Sequence, residues 1–264
     1  MRKEVELTLG VEIELKLPVP FSADQMRDVL DQHFGSGGER TRELTVMYDN
    51  SSTLTARQIT FNLSRVDKVD VLLIPEQEVE LEINEMSEFI RIFEAIGYRV
   101  SLKDDNITLI LDESLPEEIM TSEQDSRLRL RRKKSISGEK AEISYKRPLQ
   151  RSGTKKEIEF ETQISDFEVA ETLLSILGFH QRTSYERFRT TWVIEIESKK
   201  VKLELDEFSF GTYLEIEGPS DLLVSKAAKK IGLDTKSHIG NSYDGIYQQI
   251  MREKGLEPNP HIKF

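Results

Sequence analysis

Segments in which charged and apolar residues alternate strictly recur along this 264-residue chain. The first is V-E-I-E-L-K-L at residues 11–17, where Glu12, Glu14 and Lys16 share one face and four aliphatic residues share the other. A period of two residues is typical of a β-strand. A single strand of this kind usually turns its charges to water, where cross-strand ion pairs contribute at most about 1 kcal/mol each. That interpretation is less satisfactory for a whole set of such strands.

The pattern returns at 42–49, 126–131, 141–146, 157–161, 184–196, 200–206 and 213–218, and basic and acidic strands alternate along the chain. Helices are predicted between strands, for example from a capping box of Ser22 with Gln25 to a helix-ending Gly35. These helices need an apolar surface to cover. We therefore predict an α+β fold, an antiparallel eight-stranded β-barrel or tunnel with helices packed outside and the charged faces of the strands inside.

A barrel of about eight antiparallel strands can enclose one small ligand. A charged interior is costly unless the charges are paired or hold ions. Clustered Arg and Lys side chains suit an anion with several phosphates, and clustered carboxylates suit the hard cations Mg²⁺ or Mn²⁺. The pattern therefore predicts a site for a polyphosphate–metal complex.

The composition of the chain argues against several other kinds of partner. The net charge of −11 argues against a nucleic-acid polymer. No apolar run approaches the roughly 20 residues of a membrane span, and neither a signal core nor a cysteine is present. We expect a cytoplasmic protein without a membrane partner. The P-loop motif is also absent, so nucleotide binding of that kind is excluded.

The segment E-I-E-L-K at residues 12–16 resembles the N-terminal signature of the CYTH family, the triphosphate tunnel metalloenzymes that include class IV adenylyl cyclases and thiamine triphosphatases. Later segments follow in the order of that family: R-L-R-L-R, S-Y-K-R-P, E-I-E-F-E, Y-E-R-F-R, K-L-E-L-D and F-G-T-Y-L-E-I-E-G-P. The segment N-S-Y-D-G-I-Y at 241–247 resembles the tail of the class IV cyclase branch. The resemblance covers residues 1–49 and about 125–250.

The resemblance implies a tunnel that binds triphosphates with Mg²⁺ or Mn²⁺. The implied metal ligands are Glu12, Glu14, Glu204, Asp206, Glu215 and Glu217. The implied substrate contacts are Lys16, Arg127, Arg129, Arg131, Lys146, Arg187 and Arg189. Lys16 also has an implied catalytic role, with Glu159 as the base. Glu161 and Lys202 lie at positions of their strands that are predicted to face inward. A role in an ion pair at the rim of the tunnel explains their charge as well as a role in the site does.

The implied substrate is a small triphosphate, namely tripolyphosphate, ATP or thiamine triphosphate. We favour hydrolysis, because no run of residues clearly recognises adenine. Two alternatives stay open: a class IV adenylyl cyclase that makes cyclic AMP and pyrophosphate, and a non-catalytic polyphosphate- or nucleotide-binding module. The sequence does not indicate which triphosphate or which metal is preferred.

Residues 50–124 depart from the family pattern. Their order of strands and helix mimics that of 127–207, but the arginine-rich strand is replaced by one with only Arg65, and Lys146 has no counterpart. We predict that 1–49 together with 125–264 form the tunnel domain and that 50–124 form an inserted α/β lobe or a degenerate half-repeat. A partner-binding lobe, two half-tunnels that complete each other, and two poor barrels at 1–113 and 114–264 stay open, as does a homodimer.

Overall fold

The structure is a computed structural model that describes residues 11–49, 59–65, 68–73, 77–81, 86–96, 98–103, 106–111, 127–150, 155–176 and 179–264. The strands of the larger sheet are β1 (Val11–Pro18), β2 (Thr41–Asp49), β8 (Arg127–Ser135), β9 (Gly138–Gln150), β10 (Lys155–Ile164), β11 (His180–Ile196), β12 (Lys199–Phe208), β13 (Gly211–Gly218) and β14 (His261–Ile262). Those of the smaller sheet are β3 (Ile59–Arg65), β4 (Lys68–Leu73), β5 (Gln77–Leu81), β6 (Tyr98–Lys103) and β7 (Asn106–Leu111). The helices are α1 (Ala23–Phe34), α2 (Met86–Ile96), α3 (Phe167–Ile176), α4 (Asp221–Lys230) and α5 (Tyr243–Glu253).

Eight strands of the larger sheet follow one another in a ring. Their order is β12-β13-β1-β10-β9-β8-β2-β11, and β11 pairs again with β12. Every pairing in the ring is antiparallel. The short β14 adds to β11 in the parallel direction. The predicted α+β fold with an eight-stranded antiparallel barrel is confirmed.

Both faces of the barrel strands are buried, as the alternation in β1 illustrates. Leu15 and Leu17 belong to an apolar core that α1 and α4 cover, with Met26 and Leu30 from α1. Glu14 and Lys16 lie on the other face and are only 6% and 3% exposed. The apolar side of the strand therefore faces the helices and the charged side faces the barrel interior.

Local sequence sets the helix starts. Ser22 and Gln25 form the predicted capping box of α1, and the helix ends at Gly35 with a φ of 80°. At α3 the sequence predicts a second capping box of Ser165 with Glu168, but the Oδ1 atom of the next residue, Asp166, accepts the N–H of Val169 at 2.8 Å. Asx side chains cap helices at least as well as serine, which explains the shift.

The strands between residues 59 and 111 form a separate five-stranded antiparallel sheet in the order β5-β4-β3-β7-β6. The helix of this region, α2, packs on β10 of the barrel. Phe89, Ile92 and Phe93 of α2 join a core with the outward residues Leu130 and Ile143 of β8 and β9. Helix α2 thus attaches to the barrel wall. The predicted domain boundaries at 49/50 and 124/125 involve residues outside those that the structure describes.

The C-terminal segment closes one end of the barrel. Tyr243 and Ile246 of α5 pack with Met47, Tyr185 and Phe208 in an aromatic-rich core. The backbone N–H of Ile239 donates to the carbonyl of Lys16 at 2.9 Å. This end of the interior is therefore covered by α5. In the part of the chain that the structure describes, no helix is long and apolar enough to cross a membrane.

Candidate triphosphate and metal site

The barrel interior holds a cavity of about 570 Å³ lined mainly by charged side chains. The basic residues at its wall are Lys16, Arg91, Arg127, Arg129, Arg131, Lys133, Lys146, Arg187, Arg189 and Lys202. The acidic ones are Glu14, Glu88, Glu159, Glu161, Glu204, Glu215, Glu217 and Asp244. Such a density of buried charge is tolerated where opposite charges pair and hydrogen-bond with one another. The wall can exchange those pairs for a ligand that carries both signs of charge.

Three carboxylates meet at one side of the cavity. Glu14, Glu215 and Glu217 each offer an oxygen, and these oxygens all lie within 4.8 Å of one another. The strand register causes this, because Glu14 stands opposite Glu217 and Lys16 opposite Glu215 across the β1–β13 pair. The cluster is a carboxylate set of the kind that Mg²⁺ and Mn²⁺ prefer, so these residues fit a divalent metal.

Lys16 lies beside this cluster. Its Nζ atom is 3.6 Å from Glu14 and 3.2 Å from Glu215, and it also donates to the carbonyl oxygen of Asn241 at 3.1 Å. Burial alone would lower the pKa of Lys16, but Glu14 and Glu215 raise it above its usual value. Lys16 is therefore a permanent cation next to the carboxylates, placed to meet an anionic group that a metal holds there.

A second group of charges surrounds Asp206, which is fully buried. Its carboxylate accepts hydrogen bonds from Arg189 Nε at 2.6 Å, Arg187 Nη1 at 3.0 Å and the Tyr243 hydroxyl at 2.6 Å. Burial opposes the charged form of Arg189, but Asp206, Glu204 and Glu215 raise the pKa of Arg189 well above its usual value. Asp206 thus fixes two arginines at the cavity wall.

Cations on β8 and β9 form the other side. Arg131 Nη1 donates to Glu142 at 3.1 Å, and Arg129 Nη2 donates to Glu159 at 3.3 Å. Lys146 Nζ lies 2.7 Å from the second oxygen of Glu159. In a ring of eight strands β13 is four places from β8, so the strand that carries Glu215 and Glu217 faces the strand that carries the arginines. The cavity therefore has an acidic side and a basic side, as a metal–polyphosphate complex requires.

The structure brings most of the predicted site residues to this cavity. Glu14, Glu215 and Glu217 cluster, whereas Asp206 serves the arginines and Glu204 pairs with Arg189 and Lys202. The side chain of Glu12 lies outside the described residues. The predicted substrate contacts Lys16, Arg127, Arg129, Arg131, Lys146, Arg187 and Arg189 all line the wall. Glu159, the predicted base, lies between Arg129 and Lys146.

Sequence reasoning missed several residues of the site. Glu43 is buried and accepts a hydrogen bond from Arg187 Nε at 2.8 Å. The next positions of the same parity on β2 are Thr45 and Met47, so this strand gave no repeated charge signal. Tyr185 shares the parity of Arg187 and could have been found in this way. Tyr243 reaches the site from α5, and Glu88 and Arg91 reach it from α2. Strand parity could not have shown these helical contributions.

Glu43 gives a prediction about stability and pH. Burial favours its neutral form, but Arg187 and Arg131 lower the pKa of Glu43 well below its ordinary value of 4.5. A depressed folded-state pKa contributes stability above pH 4.5 that is lost as the pH falls below it. We expect Glu43→Gln to lower the free energy of unfolding by about 3 kcal/mol at neutral pH, roughly 6–12 °C in melting temperature.

Thermal melts between about pH 7 and about pH 3 check this prediction. The melting temperature of Glu43→Gln should fall less steeply with acid than that of the wild type, because the variant lacks the titrating group. Glu195→Gln, which alters an exposed carboxylate on β11, is the control and should melt like the wild type. Parallel curves for Glu43→Gln and wild type would contradict the assignment.

Comparisons with known proteins agree with the resemblance seen in the sequence. The profile of the CYTH domain matches residues 116–243. Among solved structures, the PH1819 protein from Pyrococcus horikoshii OT3 has a TM-score of 0.52 at 16% identity, with 90% of this chain and 99% of that chain covered. This likeness shows a shared fold. No curated protein matches the chain.

Two further structures are similar at lower scores. A conserved hypothetical protein from Pyrococcus furiosus has a TM-score of 0.49 at 15% identity, covering 88% of this chain and 97% of that one. The Hippeastrum protein HpAC1, described as having a dominant triphosphatase activity, has a TM-score of 0.45 at 16% identity, covering 94% and 96%.

The profile match takes in β8–β13, which carry the predicted arginines, Lys146 and the carboxylates of β12 and β13. The ring of strands adds β1 and β2 to them from outside the matched range. The match to the CYTH domain, whose family acts on small triphosphate compounds, thus takes in six of the eight strands of the ring.

Proposed function

We propose that the protein is a divalent-metal-dependent triphosphatase, which hydrolyses a phosphoric anhydride bond of an inorganic or organic triphosphate. The observation that carries the proposal is the cluster of Glu14, Glu215 and Glu217 on the opposite side of one cavity from the arginines of β8. Binding an anion alone would not need the carboxylates. This argues against a non-catalytic polyphosphate-binding module.

The side chains have separable tasks in this proposal. Arg129 and Arg131 from one side, and Arg187 and Arg189 from another, would hold phosphate oxygens through guanidinium hydrogen bonds. Lys16 would meet the phosphate next to the carboxylate cluster. Asp206 and Glu43 keep the guanidinium groups of β11 in place before substrate arrives, so little reorganisation is needed in the transition state.

Glu14, Glu215 and Glu217 would hold Mg²⁺ or Mn²⁺. When bound, such a metal offsets the negative charge that develops on phosphate oxygens during the transfer. The proton of the attacking water would pass to a carboxylate of the cavity wall, and Glu159 remains the predicted base. The burial of the site by α5 limits competing water at that end.

One observation favours a second candidate, a class IV adenylyl cyclase. The tail that resembles the cyclase branch reaches the cavity, where Ser242, Tyr243 and Asp244 line the wall. In that reaction the ribose 3′-oxygen attacks the α-phosphorus and pyrophosphate leaves. Both reactions use the same charged cavity, so only the products separate them.

Product analysis tests the proposal. Purified protein is incubated with tripolyphosphate, ATP or thiamine triphosphate in the presence of Mg²⁺ or Mn²⁺, and products are identified by mass spectrometry. We expect orthophosphate and the corresponding diphosphate, and no product after EDTA treatment. Cyclic AMP with pyrophosphate would select the cyclase instead. Tight metal-independent binding without turnover would exclude both enzymes.

A small triphosphate is the proposed partner, with no nucleic-acid polymer and no membrane. We also propose cytoplasmic localisation and a homodimer.

A further inference from the structure

The segment 239–243, which runs into the first turn of α5, holds Lys16 through three contacts. The backbone N–H of Ile239 donates to the carbonyl of Lys16 at 2.9 Å, and the Lys16 ammonium donates to the carbonyl of Asn241 at 3.1 Å. The same ammonium lies 4.1 Å from the centre of the Tyr243 ring, within the range of a cation–π interaction. A lysine ammonium sits on a flexible four-carbon stem, so contacts from outside β1 limit where it lies.

The hydroxyl of Tyr243 reaches the second group of charges in the cavity. It donates at 2.6 Å to Oδ2 of Asp206, the oxygen that also accepts from Arg187 Nη1 at 3.0 Å. Burial and the carboxylate of Asp206 raise the pKa of Tyr243 well above its usual value, so the hydroxyl keeps its proton and stays a donor. One side chain of α5 therefore contacts both the lysine beside the acidic cluster and the carboxylate that fixes the arginines.

The ring of Tyr243 has little freedom of its own. The residue is only 4% exposed, and its ring centroid lies 4.3 Å from that of Phe208, 5.5 Å from that of Tyr213 and 6.2 Å from that of Tyr185. Tilted and edge-on ring pairs at such distances stabilise one another. Because these neighbours fix the ring, the ring can in turn fix the more flexible ammonium of Lys16.

From these contacts we propose that Tyr243 is a positioning residue of the triphosphate site with two separable tasks. Its ring holds the ammonium of Lys16 beside the acidic cluster. Its hydroxyl holds Asp206 and, through that carboxylate, the guanidinium groups of Arg187 and Arg189. The inference deepens the proposed triphosphatase function and rests on it for the reaction, whereas its effect on phosphate binding can be measured without turnover.

The two tasks have different kinetic consequences. Arg187 and Arg189 bind phosphate oxygens in the substrate and in the transition state alike, so a disturbance of these groups raises KM and leaves kcat nearly unchanged. Lys16 meets the phosphate next to the metal, where negative charge develops during the transfer. A disturbance of Lys16 therefore lowers kcat.

Two substitutions separate the tasks. Tyr243→Phe removes the hydroxyl and keeps the ring, so we expect KM for tripolyphosphate with Mg²⁺ to rise about fivefold while kcat stays within about twofold of the wild-type value. Tyr243→Leu also removes the face on which the ammonium lies, so kcat should in addition fall about tenfold. Steady-state kinetics measures both parameters.

A cycle of variants shows whether the ring acts through Lys16. The affinity for a methylene-bridged, non-hydrolysable analogue of tripolyphosphate is measured calorimetrically with Mg²⁺ present. Tyr243→Leu should bind the analogue about tenfold more weakly than Tyr243→Phe does. When each is combined with Lys16→Met, the two should bind it equally, because the partner of the ring is then absent.

Tyr247→Leu is the matched control, since this tyrosine lies one turn further along α5 and packs on Phe210. It should keep the wild-type KM, kcat and affinity. Melting temperatures show which variants remain folded, and Tyr243→Phe carries the test if Tyr243→Leu does not.

A wild-type KM for Tyr243→Phe, or the same difference in affinity with and without Lys16, would overturn the inference. Activity losses that follow only the loss of folded protein would also overturn it. Failure of the proposed function looks different: no substrate is turned over, while the effect of Lys16→Met on the affinity difference persists.

Discussion

Glu14→Gln is expected to lower kcat for triphosphate hydrolysis by roughly 10³-fold while the protein stays folded. The substitution keeps the size of the side chain and removes one of three carboxylates that converge within 4.8 Å. A neutral amide binds a hard divalent cation far less well than a carboxylate. The substitution also removes the ion pair between Lys16 and residue 14, so that Lys16 keeps its ion pair with Glu215 and the local net charge becomes more positive.

The measurement has two parts, steady-state kinetics and Mn²⁺ binding followed by paramagnetic resonance. Mn²⁺ affinity should fall together with kcat, and added Mn²⁺ should restore part of the activity. Glu195→Gln serves as the control, since it removes the charge of an exposed glutamate on β11. Full activity of Glu14→Gln at ordinary metal concentrations would show that the acidic cluster is not the metal site.

Much of the barrel could be predicted because both faces of its strands are chemically uniform. In β1 the alternation of Glu14, Leu15 and Lys16 shows which residues share a face of the strand. Because the helices must pack on an apolar surface, the apolar face is expected to point outward and the charged face inward, as the structure shows. The alternation alone therefore predicts that the charged residues of these strands share one cavity.

The alternation of inward and outward residues does not show which charged side chains in that cavity pair with one another. Asp206 and Glu215 lie on neighbouring strands with the same inward orientation, and both accept a hydrogen bond from Arg189. Glu215 nevertheless joins the acidic cluster, whereas Asp206 also accepts from Arg187 and Tyr243. Their difference depends on register, since Glu204 and not Asp206 stands opposite Glu215. Register is a long-range property of strand pairing, and the pattern of single strands carries no information about it.

The alternation in the strands also does not predict which helical side chains reach the cavity. Arg91 reaches the cavity because α2 packs on β10, a contact between segments far apart in sequence. Tyr243 arrives from the C-terminal helix and donates to Asp206. Helical periodicity identifies the apolar face that packs, but it does not identify the surface on which that face will pack.

The distinction between Asp206 and the acidic cluster leads to the second large effect. Asp206→Asn is expected to destabilise the protein by about 3–5 kcal/mol, because Arg187 and Arg189 lose a buried counter-ion. Triphosphate affinity should fall as well, since the two guanidinium groups lose their fixed positions. Mn²⁺ affinity should stay close to the wild-type value, because the carboxylate of Asp206 is already occupied by Arg187, Arg189 and the hydroxyl of Tyr243.

Glu217→Gln is the matched comparison, with the opposite expected result. Its ion pair with Lys202 is partly exposed, so the loss of stability should be at most about 1 kcal/mol. Its place in the acidic cluster means that Mn²⁺ affinity should fall strongly. Denaturant unfolding and Mn²⁺ titration of both variants separate the two roles. If Asp206→Asn weakens Mn²⁺ binding as much as Glu217→Gln does, then Asp206 is a metal ligand and its arginine contacts are exchanged when the metal binds.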